Sequence, residues 1–440
     1  MKIGDIFCDR SGHQYVIIKE LGRGGQAVVY LVNNTDTQTQ HAFKYYLRDP
    51  FGVHKNIETL LKWQQDIILA KAHTIEEGIF PDDIYYGHGG SFGYLMQPLE
   101  PRFMTLWKAY ESDNGPNAEV ACHIIIHLSD FMTYLHANKT LSYKDINENN
   151  VYFDPSTGDV RVIDNDNIGF PSHFTIRGTL MYMAPEILNN VCYPDIRTDF
   201  YSLAMYIYRL LIGAFPYEGP YSKKYGEEHG LERDGFFAEF PGRQPLFVFD
   251  PVDQRNSIKN TDNQGWQLRC QIWESLPESV QNLFISTFAT NISYERRAER
   301  TSSQEWSAEM KRQLGRLVKC PHCGELTFKG TPRCFNCLEK IEISQDLVLK
   351  INGQQLSLRA EDTISTQQCG LSYDEPLLIV KQNKETKQYA LRNVSPLDGT
   401  VTLKDGTTLS FNYGRIIPLS GCLTIKLDTI TIEIIDDGGK

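Results

Sequence analysis

The stretch "LSYKDINENNVYF" (141–153) carries the clearest chemical pattern in the chain. In it Asp145 is followed five residues later by Asn150, which combines a carboxylate with a side-chain amide oxygen. Phosphoryl transfer needs a carboxylate that orients a hydroxyl group and accepts its proton, and it needs oxygen ligands for Mg²⁺. Because a single acidic residue is more often a solvated loop residue, the interpretation depends on finding the rest of such a site.

A second stretch, "VRVIDNDNIG" (160–169), supplies another candidate metal ligand. Asp164 comes directly after the apolar "VRVI" and stands where the second Mg²⁺ ligand is needed. Asp166 follows two residues later, and it is interpreted either as an extra metal ligand or as a solvated loop carboxylate. Asp145, Asn150 and Asp164 in this order are hard to attribute to chance.

The glycine-rich stretch "LGRGGQAVVY" (21–30) lies between two predicted strands. Glycines in such a turn let backbone N–H groups approach phosphates closely. The alternative is an ordinary hairpin, since many hairpins carry two glycines. The glycines concerned are Gly22, Gly24 and Gly25.

Lys44 lies on the next predicted strand, in "HAFKYY" (41–46), 15 residues after Val29. Taken alone it would be interpreted as a surface lysine. Its distance from the glycine turn favours instead a lysine that presents its ammonium group to the α- and β-phosphates of a nucleotide.

Together these stretches resemble the eukaryotic-type Ser/Thr protein kinase family over roughly residues 12–316. The segment "YKDINENN" (143–150) matches the family's H-R-D-L-K-P-E-N. The segment "GTLMYMAPE" (178–186) matches the family's G-T-x-x-Y-M-A-P-E almost letter for letter and is the most specific match. The buried-helix pattern "DIRTDFYSLAMYIYRLLIGAFPY" (195–217) is also similar.

The resemblance implies an α+β, bilobal protein kinase-like fold. Residues 1–100 are expected to form a β-rich N-lobe that ends at a hinge, and residues 101–316 a mostly helical C-lobe. Helices are predicted for residues 117–215 and 276–316. Residues 218–265, rich in Gly, Pro, Asp and Asn, are predicted to be long loops.

The resemblance also implies a role for individual residues. Lys44 would contact the phosphates, Asp145 would be the catalytic base, and Asn150 and Asp164 would hold Mg²⁺. The residues expected to bind the nucleotide are Gly22, Gly24, Gly25 and Val29 over it, Met96 as gatekeeper and Gln97 to Leu99 as hinge. Structural roles are expected for Thr179 in the substrate-positioning loop, for a salt bridge between Glu186 and Arg300, and for Asp199 as an anchor of the catalytic-loop backbone.

Several residues depart from the family pattern. Tyr143 and Lys144 replace the usual His and Arg, which predicts weak dependence on phosphorylation of the activation segment, for example at Thr175. Asn147 replaces a lysine that steadies the γ-phosphate, and Asn165 replaces the family's Phe. These changes leave it open whether catalysis is slowed or lost.

The glutamate that should pair with Lys44 is ambiguous. The helical pattern "VHKNIETLLKWQQDII" (53–68) offers Glu58, which is closer to Lys44 along the chain than is usual in the family.

Four of the ten cysteines lie in "VKCPHCGELTFKGTPRCFNCLEK" (318–340) as two C-x-x-C pairs. Two such pairs, Cys320 with Cys323 and Cys334 with Cys337, supply four thiolates to one tetrahedral ion. Residues 317–340 therefore predict a zinc ribbon. Because four thiolates close the coordination shell, the zinc is expected to be structural.

Residues 341–440 alternate in short strands and predict a small all-β sandwich. Their late strands resemble those of forkhead-associated (FHA) domains, although the family's phosphothreonine-binding signature is missing. A plain sandwich is the alternative.

The combination of a divergent kinase, a ribbon and "PLFVFDP" (245–251) resembles bacterial tellurite-resistance-associated kinases of the TerY-P triad type. That resemblance implies a von Willebrand A protein and a metal-dependent Ser/Thr phosphatase as partners, besides a protein substrate.

Composition limits the remaining function classes. The net charge of -11 argues against nucleic acid or an anionic membrane surface as the main partner. No apolar run of membrane-spanning length and no signal-peptide core occurs, so a cytoplasmic protein is expected.

The favoured function is an ATP- and Mg²⁺-dependent Ser/Thr protein kinase. The alternative is a pseudokinase scaffold that acts through its ribbon and sandwich.

Overall fold

The structure is a computed structural model, and it divides the chain into two compact units, Met1–Ile341 and Glu342–Lys440. The residues that it describes are 1–25, 27–46, 54–55, 57–62, 76–87, 91–112, 115–137, 141–169, 178–289, 294–341, 347–352, 354–358, 360–366, 368–369, 371, 375–383, 385–386 and 388–436. The ribbon sequence thus belongs to the same unit as the lobes that precede it.

The first unit begins with an antiparallel sheet, in which the described residues form six strands. The strands are β1 (Ile6–Cys8), β2 (Gln14–Arg23), β3 (Ala27–Asn34), β4 (Gln40–Tyr46), β5 (Pro81–Tyr86) and β6 (Phe92–Met96), in the order β1-β2-β3-β4-β6-β5. Alternating apolar residues give the sheet two buried faces, one around Phe43 and one around Tyr46 and Tyr94. The second face also carries Lys44, because residues two apart on a strand share a face.

The rest of the first unit is mostly helical, as predicted for residues 117–215 and 276–316. The helices are α1 (Leu106–Glu111), α2 (Ala118–Ala137), α3 (Pro185–Leu188), α4 (Ile196–Ile212), α5 (Pro220–Glu228), α6 (Arg233–Arg243), α7 (Gln264–Glu274), α8 (Glu278–Phe288) and α9 (Ser303–Leu314). Helix α4 is buried along most of its length. It begins with a capping box at Asp195 and ends at Gly213, whose φ of 75° suits a residue without a Cβ atom.

The prediction that residues 218–265 form long loops was wrong. Helices α5 and α6 lie in this segment. Gly and Pro mark the start of α5 rather than a loop, because Gly219 is its N-cap and Pro220 occupies the first turn, where proline needs no hydrogen-bond partner. Phe237 and Phe240 anchor α6 in the main core.

A small three-stranded sheet, which packs in the core of the helical lobe, carries the loops of the candidate site. Its strands are β7 (Met104–Thr105), β8 (Val151–Phe153) and β9 (Val160–Val162), in the order β7-β8-β9. The stretch that contains Asp145 and Asn150 leads into β8, and Asp164 follows β9 by two residues. Pairing of β8 with β9 therefore brings the two loops to the same edge.

The segment predicted to be a ribbon, residues 317–340, begins with a short hairpin of β10 (Val318–Lys319) and β11 (Leu326–Thr327). It packs on the helical lobe rather than standing apart from it. Phe328 is buried in the lobe's core cluster, and Arg333 Nε donates to Glu274 Oε2 of α7 at 2.8 Å.

The second unit consists of two antiparallel sheets around one apolar core. One sheet has the order β13-β12-β21-β20-β17-β18 and the other β14-β15-β16-β19. The strands are β12 (Leu347–Ile351), β13 (Gln354–Leu358), β14 (Thr363–Ser365), β15 (Pro376–Gln382), β16 (Tyr389–Asn393), β17 (Gly399–Leu403), β18 (Thr408–Ser410), β19 (Ile416–Pro418), β20 (Cys422–Leu427) and β21 (Ile430–Asp436). Leu349, Val380 and Ile425 come from both sheets and meet in the core, which is the packing of a sandwich.

Within the residues that the structure describes, every helix is too short or too polar to span a membrane.

Candidate functional site

Lys44 lies in the middle of β4, facing the helical lobe. Its neighbours across the sheet are Val29 on β3 and Tyr94 on β6. The residue is buried, and its Nζ forms ion pairs with Asp164 Oδ1 at 3.1 Å and Asp166 Oδ2 at 2.9 Å. Lys44 is therefore joined to the loop after β9, across the cleft between the two lobes.

Asp199, the fourth residue of α4, holds the backbone next to Asp145. The Asp199 carboxylate accepts hydrogen bonds from the N–H groups of Tyr143 (2.7 Å) and Lys144 (2.9 Å). Lys144 adopts a left-handed φ of 73°, which a residue without such support rarely keeps. The predicted anchoring role of Asp199 is confirmed.

Tyr143, which replaces the family's His, is fully buried. Its hydroxyl donates to the carbonyl of Ile163, the residue before Asp164. The Tyr143 phenol thus links the two site loops.

The Asp145 carboxylate is surrounded by hydrogen-bond donors. Thr179 Oγ1 donates to Oδ1 at 2.8 Å, Asn147 Nδ2 to the same oxygen at 3.1 Å, and Asn150 Nδ2 to Oδ2 at 3.3 Å. Burial raises the pKa of Asp145 above its usual value, while the bonds from Thr179 and Asn147 lower it. Thr179, predicted to lie in the substrate-positioning loop, is therefore in direct contact with Asp145.

Asp164 stands at the edge of the cleft. Its backbone is left-handed, with φ 58°, and it is followed by a short 3-10 turn, Asn165–Asn167. Asn165 fixes this turn because its Nδ2 donates to the carbonyls of Ile79 (2.7 Å) and Val162 (2.8 Å). A polar side chain that donates two hydrogen bonds stands in the position of the family's Phe and ties the loop to the protein interior.

The structure excludes one of the two interpretations of Asp166. This residue is 1% exposed, so it is not a solvated loop carboxylate. Besides Lys44, its Oδ2 accepts hydrogen bonds from the hydroxyls of Tyr46 and Tyr94, the latter at 3.2 Å. Sequence reasoning missed this cluster. The available signal was Tyr46, which lies two residues from Lys44 and therefore on the same face of β4.

Glu58 does not take the position predicted for it. Residues 57–62 are helical, but the Glu58 carboxylate accepts a hydrogen bond from the Tyr86 hydroxyl on β5. Among the described residues, the carboxylates recorded within ion-pair distance of Lys44 are those of Asp164 and Asp166. The pairing is thus made by residues after β9 and not by this helix.

The other predicted nucleotide contacts lie in the β2–β3 hairpin and at the end of β6. Gly22 pairs with Val29 across the β2–β3 hairpin, and Gly24 N donates to Ala27 O at 2.9 Å; Gly25 follows at the exposed tip. The remaining predicted contacts are Met96, the last residue of β6, and Gln97 to Leu99, the extended residues that follow it. Thr175 lies outside the described residues.

The segment that follows Thr179 is fixed to the helical lobe by the predicted salt bridge. Arg300 and Glu186 form a buried, two-point ion pair with distances of 2.7 and 2.9 Å. This prediction is confirmed.

Asn150 and Asp164 fit a magnesium ion by their chemistry. Both offer oxygen atoms, the ligands that Mg²⁺ prefers, and the Asp164 side chain is 37% exposed toward the cleft. The recorded hydrogen bonds of the Asn150 side chain use its nitrogen. Its oxygen is therefore the atom that a metal would use.

The four ribbon cysteines converge on one point. Their sulfur atoms all lie within 4.8 Å of one another, and the Cys320–Cys337 and Cys323–Cys334 distances are both 3.8 Å. A zinc ion at the centre of a tetrahedron, about 2.3 Å from each sulfur, requires sulfur–sulfur distances of about 3.8 Å. The donor set and its spacing thus fit tetrahedral zinc.

Comparison with known proteins agrees with this geometry. The family model for the protein kinase domain matches residues 15–235, just over half of the 440 residues. A probable serine/threonine-protein kinase PknB of Lactococcus lactis is 28% identical over 233 residues, which cover 50% of this chain and 34% of that protein. The serine/threonine-protein kinase PrkC of Bacillus subtilis is 27% identical over 223 residues, or 48% of this chain and 32% of that protein.

A third relative matches a shorter stretch of the chain at a similar identity. A mitogen-activated protein kinase kinase 5 of Leishmania mexicana is 29% identical over 142 residues, which are 30% of this chain and 25% of that protein. The chain therefore spans a quarter to a third of the length of these relatives. Residues 15–235, which the family model matches, contain both site loops.

Proposed function

Because the chain belongs to the protein kinase family, we propose that it transfers the γ-phosphate of ATP, with Mg²⁺, to a Ser or Thr hydroxyl of a protein substrate. The observation that carries the proposal is the meeting of Lys44, Asp145, Asn150 and Asp164 around one cleft, with Thr179 bonded to Asp145. The bacterial relatives PknB and PrkC support protein kinase activity and a Ser/Thr preference.

In this mechanism Asp145 orients the substrate hydroxyl and accepts its proton. Its carboxylate is held by Thr179, Asn147 and Asn150, so it needs little rearrangement when substrate binds. Burial raises the pKa of Asp145, which makes the carboxylate a better proton acceptor than a free one.

The negative charge of the phosphates would be neutralised by Lys44 and by the metal ion that Asn150 and Asp164 would hold. When bound, Mg²⁺ neutralises charge that develops on the transferring phosphoryl group. Asn150 and Asp164 would hold the ion through side-chain oxygens, and Lys44 would donate to the α- and β-phosphates. Asn147 replaces a cationic residue, so this site applies one positive charge fewer than the family pattern and turnover is expected to be slow.

The glycine turn and the residues after β6 would bind the rest of the nucleotide. Gly22, Gly24 and Gly25 present exposed backbone with no side chain to block a phosphate. Met96 and Leu99 join the apolar cluster beneath the sheet, which suits an adenine ring, and the backbone of Gln97 to Leu99 supplies hydrogen-bonding groups at its edge.

The test is phosphorylation by purified protein with γ-labelled ATP and Mg²⁺, with the chain itself and a generic protein as acceptors. Asp145→Asn and Asp164→Asn are the inactive variants. Asp405→Asn, in an exposed hairpin of the second unit, is the control for the same chemical change. Label on wild type and the control, lost in both site variants, supports a working kinase. Label that persists in Asp145→Asn contradicts the assignment of the base.

A pseudokinase scaffold is the second candidate, and one observation favours it. Two carboxylates engage Lys44, so two of the three N–H donors of its ammonium group are already used in this arrangement. Mg²⁺-dependent nucleotide binding without phosphate transfer to any acceptor would support the scaffold.

For the ribbon we propose one structural zinc ion bound by Cys320, Cys323, Cys334 and Cys337. The sulfur–sulfur distances support this proposal. Because Phe328 of the ribbon lies in the core of the helical lobe, the ion would stabilise the lobe as well as the ribbon.

For the second unit we propose an FHA-like sandwich on the resemblance of its late strands, and its two antiparallel sheets around one core are compatible with that fold. The proposed partners are the protein substrate, a von Willebrand A protein and a metal-dependent Ser/Thr phosphatase in the cytoplasm, in the setting of a bacterial tellurite-resistance system. Only the sequence resemblance supports these two named partners and that setting. Phosphate transfer from ATP to a purified von Willebrand A protein of the same genome, absent with Asp145→Asn, would test the first of them.

A further inference from the structure

Lys44 contacts two carboxylates that differ sharply in their surroundings. The Asp164 side chain is 37% exposed, whereas that of Asp166 is 2% exposed. The ion-pair distances are similar, 3.1 Å to Asp164 and 2.9 Å to Asp166. Only the first carboxylate can turn toward a ligand in the cleft without leaving a buried position.

Asp166 is held in place by the sheet above it. The hydroxyls of Tyr46 and Tyr94 both donate to its Oδ2, the same oxygen that meets Lys44. Tyr46 lies on the same face of β4 as Lys44, and Tyr94 pairs directly with Lys44 in the sheet register. Lysine, carboxylate and two phenols therefore form one buried cluster on the underside of the sheet.

Metal binding would give the two carboxylates different partners. Once Asp164 is used as a metal ligand, it no longer neutralises Lys44. A buried ammonium group without a carboxylate is strongly disfavoured, so a second partner is required. Glu58 is bonded to Tyr86, which leaves Asp166 as the carboxylate in contact.

We propose that Asp166 is the positioning residue for Lys44, in the role that the sequence had suggested for Glu58. It keeps Lys44 pointed at the phosphates and leaves Asp164 free for the metal. This inference rests on the proposed function. It makes a specific claim about coupling: without Asp166, Lys44 has Asp164 as its remaining carboxylate partner, and this ion pair competes with Mg²⁺ for Asp164.

The test measures binding of the fluorescent nucleotide mant-ADP to the full chain as a function of Mg²⁺ concentration. We compare wild type with Asp166→Asn, Lys44→Met and the double variant. For Asp166→Asn, the half-saturating Mg²⁺ concentration should rise by about five-fold or more, the size of an ordinary coupling between two sites. In the Lys44→Met background the same change should have less than about a two-fold effect, because no lysine is left to compete.

Two further variants distinguish the proposed effect of Asp166→Asn from misfolding of that variant. Tyr94→Phe removes one hydrogen bond to Asp166 but keeps its charge, so a smaller rise in the Mg²⁺ requirement is expected even if Asp166→Asn fails to fold. Asp9→Asn is the matched control. Asp9 is a buried aspartate of the same lobe whose carboxylate is paired with His13 at 3.1 Å, and its variant should bind as wild type does.

The outcomes separate the inference from the function on which it rests. An equal Mg²⁺ requirement in Asp166→Asn and wild type overturns the inference and leaves the proposed function standing. Tighter nucleotide binding by Asp166→Asn also overturns it, because Asp166 would then sequester Lys44. An effect of Asp166→Asn that persists in the Lys44→Met background shows a merely structural role. Wild type that does not bind mant-ADP at any Mg²⁺ concentration overturns both.

Discussion

Arg300 and Glu186 are 114 residues apart in the chain, yet both nitrogens of the guanidinium fork donate to the two carboxylate oxygens, at 2.7 and 2.9 Å. Both residues are almost completely buried. The pair fastens α3, which follows the segment bearing Thr179, to the start of α9. The ion pair therefore connects the segment bearing Thr179 to the core of the helical lobe.

Removing one partner of this pair should destabilise the first unit strongly. We expect Glu186→Gln to lower the free energy of unfolding by roughly 3–5 kcal/mol, because it leaves the Arg300 charge buried and uncompensated. Tryptophan fluorescence in a urea titration is the measurement, since all five tryptophans of the chain lie in this unit. Glu299→Gln, which breaks an exposed pair with Arg296, is the control and should barely move the midpoint. Similar midpoints for both variants would contradict the prediction.

The hydrogen bond from Thr179 to Asp145 should contribute to catalysis. Thr179→Val keeps the shape of the side chain and removes the donor, so we expect kcat to fall about ten-fold, the effect of one hydrogen bond to a charged group. Thr179→Ser retains the hydroxyl and should keep most of the rate. Steady-state kinetics with a generic protein substrate measures both. Equal losses in the Val and Ser variants would show that the methyl contact, not the hydrogen bond, matters.

The same bond should shift the pH dependence of the reaction. Asp145 acts as a carboxylate, and burial raises its pKa above the usual 3.8, so activity should fall as the pH drops through this raised pKa. The Thr179 bond stabilises the charged form and lowers the pKa. Thr179→Val should therefore move the acidic limb of the kcat/KM profile to higher pH, whereas an unchanged limb would mean that another group titrates there.

Activity should depend little on phosphorylation of the chain. Lys144 stands where the family has a phosphate-reading Arg, but it is buried, and burial lowers its pKa to about 8. A buried lysine that is only weakly basic is a poor partner for a phosphate on another segment. Treatment with a phosphatase, removed before assay, should change the rate less than about two-fold. A loss beyond ten-fold would show that an activating phosphate is read by another residue.

Loss of the ribbon metal should destabilise the helical lobe. Wild type is expected to carry one zinc per chain by elemental analysis, and Cys334→Ser to carry none. Because Phe328 and Arg333 join the ribbon to that lobe, the tryptophan unfolding midpoint should drop in the variant and in wild type treated with a chelator. Cys8→Ser, at an exposed cysteine outside the ribbon, should keep both zinc and midpoint. A zinc-free wild type would contradict the site.

The sequence alone determined the elements whose signal is local. Chain order and spacing identified Lys44, Asp145, Asn150 and Asp164, and the structure brings these four side chains to one cleft. The same is true of the four cysteines, since two short C-x-x-C loops can deliver thiolates to one point regardless of the fold around them. Motif similarity also predicted two long-range contacts correctly, the Glu186–Arg300 pair and the Asp199 anchor.

Only the tertiary structure decided which carboxylate Lys44 meets. Glu58 and Asp166 have equal formal charge, and nothing in their local sequence shows which of the two pairs with Lys44. The outcome depends on the sheet register that places Tyr46 and Tyr94 above Asp166, a relation between strands far apart in the chain. The helices within residues 218–265 were missed for a related reason. Composition there favours loops, but burial of Phe237 and Phe240 in a core built by other segments stabilises the helix, and long-range packing overrides local propensity.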